Sequence, residues 1–144
     1  FRGILYLGNI NAKRDWGHAK DYVQMQWQIL QQKKPKDYVI ATGKAYSVKE
    51  FVNLCCKYLN LKIIWEGKGL NTKAYIVKGK KKELIIKIEK KYFRPADIEY
   101  LRGDARKALK DLNFKFKYTI HDLVKEMLDS DLEQAKKNFL SVNE

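Results

Sequence analysis

A mixed α and β fold, with strands too scattered to complete a βαβ sheet of its own, is what this sequence predicts. Three observations predict it. Ala19, Tyr22, Val23, Trp27 and Leu30 recur at the spacing of one helix face. Ser47, with Glu50 three residues later, forms a capping box at the head of an apolar run. Residues 74–77 and 84–89 are strand-like runs on either side of a turn rich in lysine and glycine, the pattern of a β-hairpin.

Taken in order, Ile4, Leu5, Tyr6 and Leu7 make a short strand ended by Gly8 and Asn9. Asp15 is the residue type that caps a helix N-terminus, so it is expected to open the helix that carries the 19–30 stripe. Pro35 punctuates the exit, and residues 38–41 read as a buried strand stopped at Thr42 and Gly43. The helix opened by Ser47 runs to about Leu59 with Asn60 as its stop, and residues 61–65 return as a strand. After the hairpin, the Phe93-Arg94-Pro95 loop leads to a short helix around residues 97–101. Asp104 caps a helix to about Leu112, and Thr119 caps the last long one. No internal repeat or low-complexity linker interrupts the pattern.

At 144 residues the chain can bury a core, and 45% hydrophobic residues exclude global disorder. No apolar run approaches the ~18 residues that would span a bilayer. The sequence begins at Phe1, straight into a strand and without a signal-like leader, which reads as a partial sequence. Its only cysteines, Cys55 and Cys56, are adjacent; neighbours rarely meet disulfide geometry, and two ligands do not make a zinc site. Free thiols on a partly buried helix in a reducing cytoplasm are expected. The net charge of +13 invites a nucleic-acid reading, but the lysines are spread along the whole chain. Their densest run, Lys78-Gly79-Lys80-Lys81-Lys82, falls on the hairpin tip, and no nucleic-acid-binding signature accompanies it.

The arginines are more selective. Against twenty-five lysines there are five, and Arg14 and Arg94 both sit where a loop is expected to hand over to a helix. Arg presents a planar, permanently charged fork that grips two phosphate oxygens at once, which Lys cannot do. The inferred ligand is a diphosphate held between Arg14 and Arg94, with Asp97 three residues on to receive sugar hydroxyls.

The same segments carry a resemblance. Tyr6-Leu7-Gly8-Asn9 and Lys13-Arg14-Asp15-Trp16-Gly17-His18-Ala19-Lys20-Asp21-Tyr22-Val23 resemble the carboxyl-terminal half of the GDP-mannose 4,6-dehydratase family, extended short-chain dehydrogenases that modify sugar nucleotides. The likeness continues through Asp37-Tyr38-Val39-Ile40-Ala41-Thr42-Gly43, Ser47-Val48-Lys49-Glu50-Phe51-Val52, Tyr92-Phe93-Arg94-Pro95, Gly103-Asp104 and Leu123-Val124-Lys125-Glu126-Met127. It is weakest between Gly69 and Lys91.

The resemblance implies one substrate-binding portion over residues 1–144, with the Rossmann half that binds NADP absent from this stretch. It implies that the intact enzyme removes water from GDP-mannose to give GDP-4-keto-6-deoxymannose, by hydride transfer from C4 to NADP and its return to C6. It places phosphate contacts on Arg14 and Arg94, a ribose contact on Asp97, and the nucleobase pocket beside Gly8 and Asn9. The family usually has Glu where this chain has Asp97, a shorter carboxylate. No catalytic residue and no cofactor are expected in this stretch, which alone should turn nothing over. GDP-mannose is the expected partner of a homo-oligomer. The alternatives are another sugar-nucleotide dehydratase or epimerase of the same family, or a non-enzymatic basic module that binds nucleic acid.

The other constellations fail on their own terms. A dinucleotide cradle needs a glycine-rich turn between strand and helix, but after Gly67 and Gly69 the third glycine position holds Thr72. The family's Tyr–Lys pair, four apart on one helix, has only Tyr58 and Lys62 to match it. Nine tyrosines and twenty-five lysines give roughly one or two such spacings by chance, and Asn60 lies between the two. His18 and His121 have no ligand partner at metal spacing, so His18 reads as a structural residue at a helix start.

Overall fold

The computed structural model describes residues 3–94 and 96–141; Pro95 of the Phe93-Arg94-Pro95 loop lies outside the described residues. In chain order the elements are β1 (Leu5–Leu7), β2 (Lys13–Asp15), α1 (Ala19–Leu30), β3 (Ala45–Ser47), α2 (Val48–Tyr58), β4 (Lys62–Glu66), β5 (Lys73–Lys78), β6 (Lys81–Ile88), β7 (Tyr100–Leu101), α3 (Arg106–Asp111) and α4 (Ile120–Ser141). They gather into two compact units interleaved in sequence. The first is Phe1–Arg14 with Ala45–Leu101, and the second is Asp15–Lys44 with Arg102–Glu144.

The first unit is built on a four-stranded sheet in the order β1-β6-β5-β4. Lys78 pairs with Lys81, so Gly79 and Lys80 are the two-residue turn of the predicted hairpin. β4 adds antiparallel to β5, and β1 adds parallel to β6 with Leu5 opposite Ile86. Period-two alternation sends Ala74 and Ile76 of β5 inward while Lys73, on the other face, stays exposed. The predicted capping box is present: Ser47 Oγ accepts the Glu50 N–H at 3.1 Å, and Glu50 Oε2 accepts the Ser47 N–H at 2.6 Å. Trp65 Nε1 donates to Asn53 Oδ1 at 2.8 Å, fixing α2 against β4.

A second, three-stranded sheet has the order β3-β2-β7, and it differs from the sequence reading. Residues 97–101 are not a short helix. Tyr100 and Leu101 form a strand parallel to Lys13 and Arg14, and the Lys13 N–H donates to the Glu99 carbonyl at 2.7 Å. Five residues cannot repay helix nucleation, whereas a neighbouring strand offers ready partners. β2 and β3, three residues each, have no hydrophobic alternation long enough to announce them.

In the second unit the buried cluster is Met25, Ala108, Leu112 and Phe114, with Ile29, Tyr38, Ile40, Leu109 and Phe116 packed on it. Tyr38 and Ile40 point inward with strand-like alternation, but residues 38–41 have no ladder partner among the described residues and are not a strand. The cap of α1 is His18, not Asp15: His18 Nδ1 accepts the Lys20 N–H at 3.2 Å. Asp15 is drawn away to the Thr42–Gly43 turn.

The buried face of α1 also differs from the apolar stripe. Asp21 and Met25 are inside, whereas Val23, Trp27 and Leu30 are 62%, 56% and 80% exposed. Asp21 earns its interior place by accepting the N–H groups of Lys117 (3.1 Å) and Tyr118 (3.0 Å). Asp104 Oδ1 does accept the Arg106 N–H at 3.1 Å, but the residue in the cap position of α3 is Ala105. Thr119 opens α4 as expected, its N–H donating to Asp122 Oδ2 at 2.8 Å while its Oγ1 accepts the Asp122 N–H at 3.3 Å.

Candidate functional site

All five residues expected to hold the substrate fall in the first unit. Pairing of β2 with β7 carries Arg14 to the segment that holds Asp97. Arg14 Nη2 donates to Asp97 Oδ1 at 2.6 Å, and Nη1 donates to the carbonyls of Ile98 (2.6 Å) and Lys13 (2.9 Å). The pair is partly sheltered, with the Arg14 side chain 33% and the Asp97 side chain 18% exposed. Three of the five guanidinium N–H groups are thereby committed, leaving Nε–H and one Nη2–H without a partner among the described residues. Arg94 is exposed, and its carbonyl accepts the Asp97 N–H at 3.3 Å, so the two residues share one turn.

Gly8 explains how the end of β1 reaches this segment. A Cβ there would run into the Tyr92 carbonyl oxygen, so only glycine allows the two backbones this close. The Glu89 N–H donates to the Leu7 carbonyl at 2.9 Å, which holds the 3₁₀ turn Lys90–Tyr92 beside the strand end. Asn9 spends its side chain locally, Oδ1 accepting the Asn11 N–H at 3.0 Å, and makes no bond to Arg94 or Asp97. The structure therefore brings Arg14, Asp97 and Arg94 together, and Gly8 to Tyr92.

Asp15, one residue beyond Arg14, is the participant that sequence reasoning misassigned. In the second unit its Oδ1 accepts from the Thr42 N–H (2.9 Å) and hydroxyl (2.6 Å), and its Oδ2 accepts from the Gly43 N–H (2.8 Å). One carboxylate thus closes the 42–43 turn. The available signal was a Thr-Gly stop whose donors needed an acceptor. A pocket of about 510 Å³ in this unit is lined by Thr42, Gly43, Arg102, Asp104 and Arg106 among others, and contains none of the five expected residues. The Arg106 guanidinium forks onto Asp104, with Nε 2.9 Å from Oδ1 and Nη2 2.6 Å from Oδ2, and holds that carboxyl at about 2.

His18 is a structural residue, as expected. It is buried and stacks on Tyr118 with ring centroids 4.3 Å apart. Because Nδ1 accepts a backbone N–H, the proton of the neutral ring sits on Nε2, 3.4 Å from Glu126 Oε2. Lys20 hydrogen-bonds the same carboxylate at 2.6 Å and pulls its titration down.

Gly67 and Gly69 do not form a dinucleotide cradle. Gly67 and Gly69 join β4 to the antiparallel β5 through the 3₁₀ turn Gly69–Asn71, so no helix N-terminus follows them. A Cβ on Gly67 would meet the Asn71 carbonyl, so that glycine serves the turn itself. Tyr58 ends α2 and Lys62 begins β4, which separates the only Tyr–Lys pair by a chain reversal at Asn60 (φ 55°). Cys55 and Cys56 are free thiols, both pushed up mainly by burial. Among the described residues, no helix is long and apolar enough to cross a membrane.

The family profile for GDP-mannose 4,6 dehydratase matches residues 2–127. A GDP-mannose 4,6 dehydratase of Dictyostelium discoideum is 48% identical over 133 residues, covering 92% of this chain and 37% of the relative. That of Vibrio cholerae serotype O1 is 45% identical over 144 residues (94% and 39%), and that of Homo sapiens 43% over 132 (92% and 35%). This chain therefore spans under two-fifths of the length of these curated relatives. Among solved structures, RMD from Pseudomonas aeruginosa, complexed with NADPH, superimposes with a TM-score of 0.65 at 17% identity, over 87% of this chain and 34% of the other. A UDP-glucose-4-epimerase from Stenotrophomonas maltophila with bound NAD gives 0.66 at 14% identity, over 93% and 36%. At these identities the likeness establishes a shared fold.

Proposed function

This chain belongs to the GDP-mannose 4,6-dehydratase family, and on that premise we propose that it is the carboxyl-terminal, substrate-binding portion of an NADP-dependent enzyme converting GDP-mannose to GDP-4-keto-6-deoxymannose and water. Residues 1–144 act as one substrate-binding portion. The dinucleotide cradle and the proton-transferring Tyr–Lys pair belong to a separate amino-terminal domain of the intact enzyme, and this chain alone is inactive.

One observation carries the reading: Arg14 and Asp97, 83 positions apart in sequence, meet at 2.6 Å, one turn from Arg94. An arginine gripping a carboxylate, with a second arginine in the same turn as that carboxylate, matches a nucleoside diphosphate, whose phosphates need forked donors and whose ribose needs an acceptor. Arg14 still offers Nε–H and one Nη2–H, Arg94 its whole fork, and Asp97 its Oδ2. Holding Arg14 by two carbonyls and a carboxylate fixes the fork before the ligand arrives, which lowers the ordering cost of binding. Gly8 and Asn9 line the nucleobase side, through backbone groups.

Calorimetric titration of the intact enzyme with GDP-mannose tests this. Arg14→Lys and Arg94→Lys each keep the charge and lose the fork, so affinity should fall by the roughly 1–3 kcal/mol of a charged hydrogen bond. Unchanged affinity in either variant would show that arginine to be structural.

A further inference from the structure

We propose that the distal half of α4 is a self-association surface, on which a second copy of this chain packs as a short parallel two-helix seam. The family profile ends at residue 127, and α4 continues to Ser141. Along that continuation Leu128, Leu132, Ala135 and Phe139 are spaced four, three and four apart, the a/d rhythm of a coiled coil. Leu132 is 40% and Phe139 72% exposed, and Leu132, Ala135, Lys136 and Phe139 line an apolar groove of about 370 Å³.

Charge identifies the occupant. The chain as a whole carries +13 and repels its own copies. Residues 128–141 hold three acids against two lysines, so here that repulsion is absent. Lys125 pairs with Asp129 at 2.7 Å, and Glu133 with Lys137 at 2.7 Å, along the helix's own face. Asp131 and Lys136 make no ion pair among the described residues, and they occupy the g and e positions flanking the seam. In a parallel pair, a g residue faces the e′ residue five positions on in the partner helix. Asp131 of one copy therefore faces Lys136 of the other, twice by symmetry. A copy of the same helix satisfies both the groove and the charges.

Sedimentation equilibrium of the full 144-residue chain at roughly 100 µM, a range where short interfaces populate dimers, is the test. A mass near twice the 17.0 kDa monomer is expected, and Leu132→Glu with Phe139→Glu should return it to one. Trp27→Glu, on the exposed face of α1, should leave the dimer intact. Asp131→Lys alone should weaken association roughly tenfold by turning two attractions into repulsions, and Lys136→Asp added to it should restore the dimer. Helical circular dichroism verifies that each variant is folded, and the charge exchange leaves Leu132, Ala135 and Phe139 in place. A monomeric parent chain, dissociation by Trp27→Glu, or a double charge exchange that fails to recover the dimer would each overturn the proposal.

Discussion

Arg14 Nη2 lies 2.6 Å from Asp97 Oδ1, an ion pair formed because the parallel register of β2 and β7 sets Arg14 opposite Leu101. Partial burial gives this pair more weight than a surface contact, yet the Asp97 carboxylate keeps a second oxygen for a ligand. Asp97→Asn should cost the fold about 1 kcal/mol in urea unfolding and also weaken GDP-mannose binding in the intact enzyme. Asp97→Glu, the residue usual in the family, should retain binding. If Asn binds substrate as well as Asp does, the carboxylate serves only to orient Arg14.

Asp15 holds the 42–43 turn with three hydrogen bonds, two of them from backbone N–H groups that have no other acceptor within the turn. Asp15→Ala should destabilise the chain by about 2–4 kcal/mol, because it leaves those donors unsatisfied as well as removing the bonds. Thr42→Val, which deletes one donor and keeps the backbone bonds, should cost about 1 kcal/mol or less. Equal losses from the two would show that the hydroxyl, not the backbone closure, matters.

Asp104 should titrate at about 2 instead of its ordinary 3.8, because the Arg106 side chain and backbone N–H favour the charged form. A depressed folded-state value adds stability that is fully present above pH 3.8 and is lost as pH falls through 2. Following the Asp104 carboxyl by NMR between those limits checks the value. In Arg106→Ala it should move back toward 3.8; a carboxyl that stays near 2 would point to another cause.

Local chemistry was legible where it is self-contained. Ser47 and Glu50 announce α2 because both halves of the capping box lie within four residues, and the lysine-glycine turn announces its hairpin for the same reason. What escaped depends on partners far along the chain. Asp15 has the side chain of a helix cap, and only the arrival of Thr42 decides otherwise. Residues 100–101 become strand because Lys13 and Arg14 are next to them. Of the site, the residue types of Arg14, Arg94 and Asp97 were legible; that Arg14 would be gripped by Asp97 before any ligand was not, since it follows from the β2–β7 register.

Tyr58 closes α2 while Lys62 opens β4, so the two do not share a helix face. Tyr58→Phe in the intact enzyme should therefore leave kcat within about twofold of the parent. Loss of a proton-transferring group costs on the order of a hundred- to ten-thousandfold, so the two outcomes are well separated in a steady-state assay.

Trp27 and Met25 lie two residues apart on α1 and stand in opposite environments. Met25 is 0% exposed in the Ala108, Leu112 and Phe114 cluster, and Trp27 faces outward with Val23 and Leu30. Truncating a fully enclosed side chain removes its contacts and leaves a void, so Met25→Ala should cost this chain about 2–5 kcal/mol. Trp27→Glu removes an apolar ring that water already reaches, and should change unfolding by no more than about 0.5 kcal/mol. In the longer enzyme the order should shift. An apolar face of this size is a natural seat for the amino-terminal domain, and a carboxylate there would be buried without a partner. Trp27→Glu should then lower the melting temperature of the intact enzyme while sparing the 144-residue chain. Equal tolerance in both would show that the α1 stripe stays solvated, and strong destabilisation of the short chain would place Trp27 in its own core.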